Sequence, residues 1–274
     1  MRVVLPVAHL LSALALGACS AGDDPSAAPS AGATGSTMAV PPARAEAAAQ
    51  IPVTAREVHE DNALYQFDYS YPASAGAIPA LKALLDSDLE KARTELKAEA
   101  GEGQKLAMEG GFPFNPYSHS VEWKVVTDLP GWLSLSTLIG FYSGGAHPNY
   151  VFDTILWDRQ AGKRRAPADL FASKAALSAA IRTPFCKELD CQREKKREGQ
   201  EMGAIPEFSE CIDPVDQTVI LGSSNGKAFD RIGVLVSPYA AGPYAEGDYE
   251  VTVPVTAKVL GAVKPEFRSA FVAG

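Results

Sequence analysis

Histidine is the side chain best suited to moving protons near neutral pH. This chain has four: His9, His59, His119 and His147. His147 alone has the surroundings of a working residue. It sits in Ser143-Gly144-Gly145-Ala146-His147-Pro148-Asn149, which interrupts an apolar run climbing from Leu135 to Tyr142 and resuming at Tyr150. Glycine turns admit positive φ and present side chains to solvent, and binding and catalytic groups collect in such loops. Two readings of His147 follow. It is a general base or a partner contact, or it fixes its own turn by a hydrogen bond to backbone. The second needs nothing else from the chain and is the simpler.

A catalytic set would need companions, and the sequence supplies none. There is no His-Glu-x-x-His, no histidine pair at helical spacing and no His/Cys cluster, so a metal site lacks its usual ligands. The nucleophile patterns Gly-x-Ser-x-Gly and Ser-x-x-Lys are absent. Gly144-Gly145 follows a strand pattern but leads into a proline-containing turn, not a helix, so it does not build a phosphate cradle. Carboxylates are plentiful, yet spacing singles out no pair. No cofactor is implied.

The cysteines carry a different chemistry. Met1-Arg2, an apolar stretch over residues 3–16, and Leu16-Gly17-Ala18-Cys19 match a bacterial lipobox. On that reading residues 1–18 are a signal peptide and the Cys19 thiol carries lipid. Ser20 after it resembles the outer-membrane sorting pattern. Cys186, Cys191 and Cys211 remain. In an oxidising compartment two of them pair. Cys186 and Cys191 share a helical pattern on different faces, too far apart for disulfide geometry. Cys186 flanks the apolar stripe, so Cys186–Cys211 is preferred, with Cys191–Cys211 behind it. Such a bridge contributes about 3 kcal/mol in the chain-entropy model.

Net charge is −8 and the sequence pI about 5.1. That balance argues against a nucleic-acid partner and suits a basic protein. After Cys19 no stretch has the length and apolarity of a membrane helix.

The elements that must position these residues are legible from periodicity. Residues 19–50 are rich in Ala, Ser, Gly and Pro and read as a flexible tether on the lipid anchor. Tyr65, Phe67, Tyr69 and Tyr71 alternate, which predicts a strand whose aromatic face is core in preference to a sugar platform. Ile78, Leu81, Leu85, Leu89 and Leu96 predict a helix over 78–100, stopped by Gly101-Glu102-Gly103. Residues 105–120 read as a loop over the core. Strands are expected at 121–127, 132–141 and 150–158, with hairpin turns at 128–131 and 159–162.

A second helix is expected over 174–196, with the stripe Leu177, Ile181, Phe185 and Leu189. Its basic end, Arg193 to Arg197, suits a helix C-terminus. Strands at 217–221 and 228–237 flank a turn at 223–226. A Gly/Pro-shaped loop then carries Tyr239 and Tyr244, ahead of a strand at 249–253 and an amphipathic helix running to Phe271. The fold class is α+β: antiparallel hairpins and meanders packed against two long helices.

Two stretches carry a family resemblance. The first is Phe141-Tyr142-Ser143-Gly144-Gly145-Ala146-His147-Pro148-Asn149, followed by Gly162-Lys163 and Asp169-Leu170-Phe171. The second is Val236-Ser237-Pro238-Tyr239-Ala240-Ala241-Gly242-Pro243-Tyr244, followed by Val251-Thr252-Val253-Pro254. They resemble an envelope domain family of unknown function. It occurs in the ectodomain of the lysozyme-sensing anti-sigma factor RsiV and ahead of the catalytic domain of the peptidoglycan deacetylase PdaC. The resemblance implies an α+β module and divides the folded part into residues 51–120, a strand-helix subdomain, and residues 121–274, an RsiV-like domain.

It also implies binding of lysozyme-like proteins or peptidoglycan-related ligands. Candidate ligand or turn residues are Tyr142, Gly144, Gly145, His147, Asn149, Tyr239 and Tyr244. The leading expectation is a lipid-anchored, periplasm-facing envelope protein with a non-catalytic binding module. One rival is a hydrolase or deacetylase acting on cell-wall glycan or esters through His147. The other is a structural envelope protein.

Overall fold

The aromatic row sets the first layer. Alternate residues of a strand share a face. In β2 (Tyr65–Tyr71) Tyr65, Phe67, Tyr69 and Tyr71 are buried, while Gln66 and Asp68 are exposed. The row is core, as its period predicts. The computed structural model describes residues 55–198 and 205–274. The signal peptide, Cys19 and the tether lie outside the described residues. β1 (Arg56–Asp61) pairs antiparallel with β2. A single turn, α1 (Ala73–Gly76), leads to α2 (Pro79–Gly110), which lays Leu81, Leu85, Leu89 and Leu96 on the aromatic face.

α2 does not stop at Gly101-Glu102-Gly103 as expected. It runs to Gly110 and ends on Gly111, which takes φ 67 as a left-handed cap. The Tyr117 ring lies against Gly103, in the space a side chain there would occupy. Each interior glycine weakens a helix by about 1 kcal/mol. Contacts with Tyr117 and burial of Ala107 offset that loss.

The segment expected as a loop is also shorter. Tyr117–Glu122 is β3, and it runs parallel to β2 with Tyr117 opposite Tyr65. α2 is thus the crossover of a strand–helix–strand unit. The single strand expected over 121–127 is two strands. β3 and β4 (Lys124–Leu129) are separated by Trp123, whose indole N–H donates to the Tyr69 hydroxyl at 3.1 Å. Both pair with β5 (Trp132–Tyr142). β6 (Asn149–Asp158) and β7 (Lys163–Arg165) complete the meander. The strand order is β1-β2-β3-β5-β6-β7, with β4 also on β5. The α+β class holds, mostly antiparallel with one parallel pair. Residue 120 falls inside β3, and the described residues belong to one compact unit.

The second core forms around α3 (Lys174–Arg197), capped by the Ser173 hydroxyl accepting from the Ala176 N–H. Leu177, Ile181, Phe185 and Leu189 are fully buried against a three-stranded sheet. Its strands are β8 (Thr218–Gly222), β9 (Arg231–Val236) and β10 (Tyr249–Pro254), ordered β10-β9-β8. Between α3 and β8 lie α4 (Pro206–Ser209) and a 3-10 turn, Pro214–Asp216. Cys186 bonds Cys211 with Cα atoms 5.5 Å apart, and Cys191 stays free.

Two local expectations change here. The β8–β9 connection is not the tight turn expected at 223–226. It is a longer loop gathered on buried Asp230, whose carboxylate accepts from the Ser224 N–H and hydroxyl and from Asn225. The helix expected to run to Phe271 is α5 (Ala257–Ala262) followed by a separate 3-10 turn, Pro265–Ala270. Pro265 disfavours helix at the residue before it, and Val263 instead bridges Phe171.

One face of the small sheet packs on α3. The other carries Thr218, Ile220, Leu235 and Glu250 and turns toward the large sheet. The sheets touch through β8 and β6, where the Thr218 hydroxyl donates to the Phe152 carbonyl at 3.0 Å.

Candidate functional site

The hairpin between β5 and β6 and the loop between β9 and β10 come from opposite sheets, and they meet. In the first, Gly144 and Gly145 adopt φ 88 and 103, which only glycine takes without strain. The Tyr142 hydroxyl donates to the Gly145 carbonyl at 3.1 Å, closing the turn. His147 Nδ1 is 2.8 Å from the Pro148 carbonyl. The Asn149 side chain accepts from the Tyr150 N–H at 2.8 Å and starts β6.

In the second loop Tyr239 takes φ 69, an unusual angle for a residue with a side chain. A 3-10 turn, Tyr244–Glu246, follows and closes on Gly247, whose φ is 69. The Tyr244 ring stacks on His147 with centroids 4.0 Å apart, and its hydroxyl donates to the Pro148 carbonyl at 2.6 Å. Tyr239 packs 5.6 Å from Tyr244, and its hydroxyl lies 3.5 Å from His147 Nε2. Deeper in, the Tyr150 hydroxyl donates to Asp248 at 2.6 Å, and burial with the Asp248 charge pushes that phenol up.

His147 therefore does bond backbone, and it also joins a surface aromatic cluster. Its ring nitrogens meet a carbonyl and a phenol, not a carboxylate. Among the described residues no group of three or more His, Cys, Asp or Glu side chains is placed to hold a metal ion.

The support for the second loop was not visible in the sequence. The basic end of α3, read there as complementing the helix terminus, reaches into this loop. Buried Arg193 donates to the Ala241 carbonyl at 3.0 Å and to the Glu210 carbonyl at 2.9 Å. Lys196 donates to the Glu246 carbonyl at 2.7 Å and to that of Asp248, and lies over the Tyr249 ring. Arg197 forms a two-pronged pair with Glu246 at 2.9 and 3.1 Å, with side chains 11% and 8% exposed.

Burial pushes the Glu246 carboxyl up. Arg197 and the Tyr249 hydroxyl outweigh that and hold it below the ordinary range. Burial and then the Glu246 charge push Tyr249 up to about 12. The only hint in the sequence was a cluster of cations on α3 and one glutamate inside a Gly/Pro loop.

A second feature lies beside the cluster. The sheets leave between them a groove of about 700 Å³, lined by residues of β1 to β6 on one side and by Ile220, Leu235 and Glu250 on the other.

Fold and site together define a two-sheet α+β module that presents an aromatic cluster at the surface on a buried, ion-paired support. Residues 58–150 match the family model described as Deacetylase PdaC. That match agrees with the resemblance read from the residues, a PdaC-like domain of unknown function. Solved structures similar to this chain include a DUF3298 family protein from Pseudomonas aeruginosa PAO1. It is 17% identical, with TM-score 0.47, over 82% of this chain and 98% of that one. A DUF3298 family member from Bacteroides fragilis NCTC 9343 is 15% identical, with TM-score 0.41, over 74% and 90%. No curated protein matches the chain.

Proposed function

We propose that this protein is a lipid-anchored envelope protein whose folded part is a non-catalytic module binding a basic protein of the lysozyme class. The observation that carries the reading is the meeting of the two signature turns. His147 and Tyr244 stack across sheets, beside Tyr239, at the surface. Tyrosines on a rigid support make good interface anchors, because they offer large contact area and lose little conformational freedom. The net charge of −8 suits a cationic partner. The lipobox at Cys19 supports an outer-membrane, periplasm-facing position, and peptidoglycan-related ligands belong to the same expectation. The glycan- or ester-hydrolysing alternative through His147 is less favoured, because among the described residues its ring nitrogens meet a carbonyl and a phenol and not a carboxylate that would orient a general base.

Calorimetric titration of the full chain with lysozyme at low ionic strength tests the reading. Binding that weakens with salt is expected. Tyr239→Ala should cost tenfold or more in affinity, at about 1–2 kcal/mol for an anchor residue, while the melting temperature holds. No binding at low salt removes lysozyme as the partner.

A further inference from the structure

The groove between the sheets is a second contact surface. Its volume of about 700 Å³ lies within the range of about 300–1,000 Å³ usual for ligand sites. Its floor is the outer face of the large sheet, where Ser70, Ser120 and Ser136 leave a shallow bed. Phe152, Ile220 and Leu235 give it an apolar side.

The charge is one-sided. Glu57, Asp68, Glu122 and Glu250 face the groove against a single cation, Lys124, which pairs with Glu122 at 3.0 Å. His59 neighbours Asp68 at 2.5 Å on the strand edge. Glu57 and Glu250 stand on opposite walls. Partial shielding from solvent, with Asp248 nearby, raises the carboxyl of surface-exposed Glu250, which is the behaviour of an acid without a neutralising partner. The groove also continues into the aromatic cluster. The Phe152 ring meets Tyr150 edge-on at 6.1 Å, and the Phe152 N–H reaches the Ser237 hydroxyl at 3.4 Å, two residues before Tyr239.

We infer that this groove receives an extended, cationic segment of the partner protein, with Glu57 and Glu250 meeting its Lys or Arg side chains and Phe152 and Leu235 its apolar ones. The inference rests on the binding-module reading and adds a second, electrostatic contact to the aromatic one.

The test uses the full chain and a synthetic heptapeptide of alternating Lys and Ser, titrated at low and high ionic strength. Wild type should bind the peptide at low salt and release it at high salt. Glu57→Gln with Glu250→Gln should weaken binding about tenfold, at somewhat under 1 kcal/mol for each exposed pair. Both positions are exposed on strands, so the melting temperature should hold. Glu99→Gln, on α2 away from the groove, should change nothing.

Unchanged affinity in the double variant overturns the inference, as does absence of peptide binding by wild type. Tighter binding of a neutral chitooligosaccharide than of the peptide, undiminished in the double variant, would assign the groove to glycan and overturn it equally. Tyr239→Ala should leave peptide affinity intact while weakening lysozyme. Peptide binding without lysozyme binding would fail the lysozyme reading and leave the groove standing.

Discussion

Replacing Arg197 with methionine tests the support under the aromatic cluster most directly. The guanidinium makes two bonds to Glu246 and a longer one, 3.4 Å, to the Ala241 carbonyl. Methionine keeps much of the packing volume and removes all three. Among the described residues, Glu246 is then left 8% exposed with the Tyr249 hydroxyl as its remaining hydrogen-bond partner and Arg193 as a neighbouring charge. Orphaning one member of a buried pair costs about 3–5 kcal/mol.

The pH dependence follows from the direction of the Glu246 shift. In the native protein its folded pKa is depressed. Its contribution is therefore present above the unfolded value, about 4.3, and is lost as pH falls through the folded value. Without Arg197, the Tyr249 hydroxyl and the Arg193 charge are what remain against burial, and the prediction is that the folded pKa rises above the unfolded one. The sign of the linkage reverses, and the variant loses stability as pH climbs past the unfolded value. Urea denaturation at neutral and mildly acidic pH reads both effects. The gap between the proteins should be widest at pH 7 and narrow toward pH 4. Arg197→Met with Glu246→Gln should recover part of the loss, since no charge is then buried alone. A gap below about 1 kcal/mol at pH 7, or one independent of pH, would refute the reasoning.

Two further outcomes are expected. Cys186→Ser with Cys211→Ser, closing no loop across 25 residues, should cost about 3 kcal/mol in equilibrium unfolding, and a reductant should reproduce the loss in the native chain. Gly103→Val should destabilise by about 1–3 kcal/mol through overpacking against Tyr117, despite valine's better helix propensity. Pairing it with Tyr117→Ala should remove that penalty in thermal melts.

What was legible in the chain was what neighbours in sequence record. The stripe Leu81, Leu85, Leu89 and Leu96, the alternation of Tyr65 through Tyr71 and that of Tyr249, Val251 and Val253 each state which face is apolar, and each face is buried. The cysteine pairing was also within reach, because a helix fixes where Cys186 and Cys191 point. Gly144 and Gly145 declared their turn, since few residues besides glycine accept those angles.

The rest needed partners far away in sequence. Whether α2 stops at Gly101 or runs through Gly103 depends on the Tyr117 ring, which arrives only when β3 docks parallel to β2. Nothing local distinguishes that parallel pairing from a loop. The basic end of α3 read as a helix terminus until the β9–β10 loop was folded under its reach. His147 and Tyr244 are each ordinary turn residues in the chain. They become one surface only because β6 and β8 bring the two sheets into contact. Local periodicity sets which side of an element seeks the core. Which elements then meet is settled by packing between sheets and helices, so the acidic groove and the aromatic cluster belong to the tertiary structure alone.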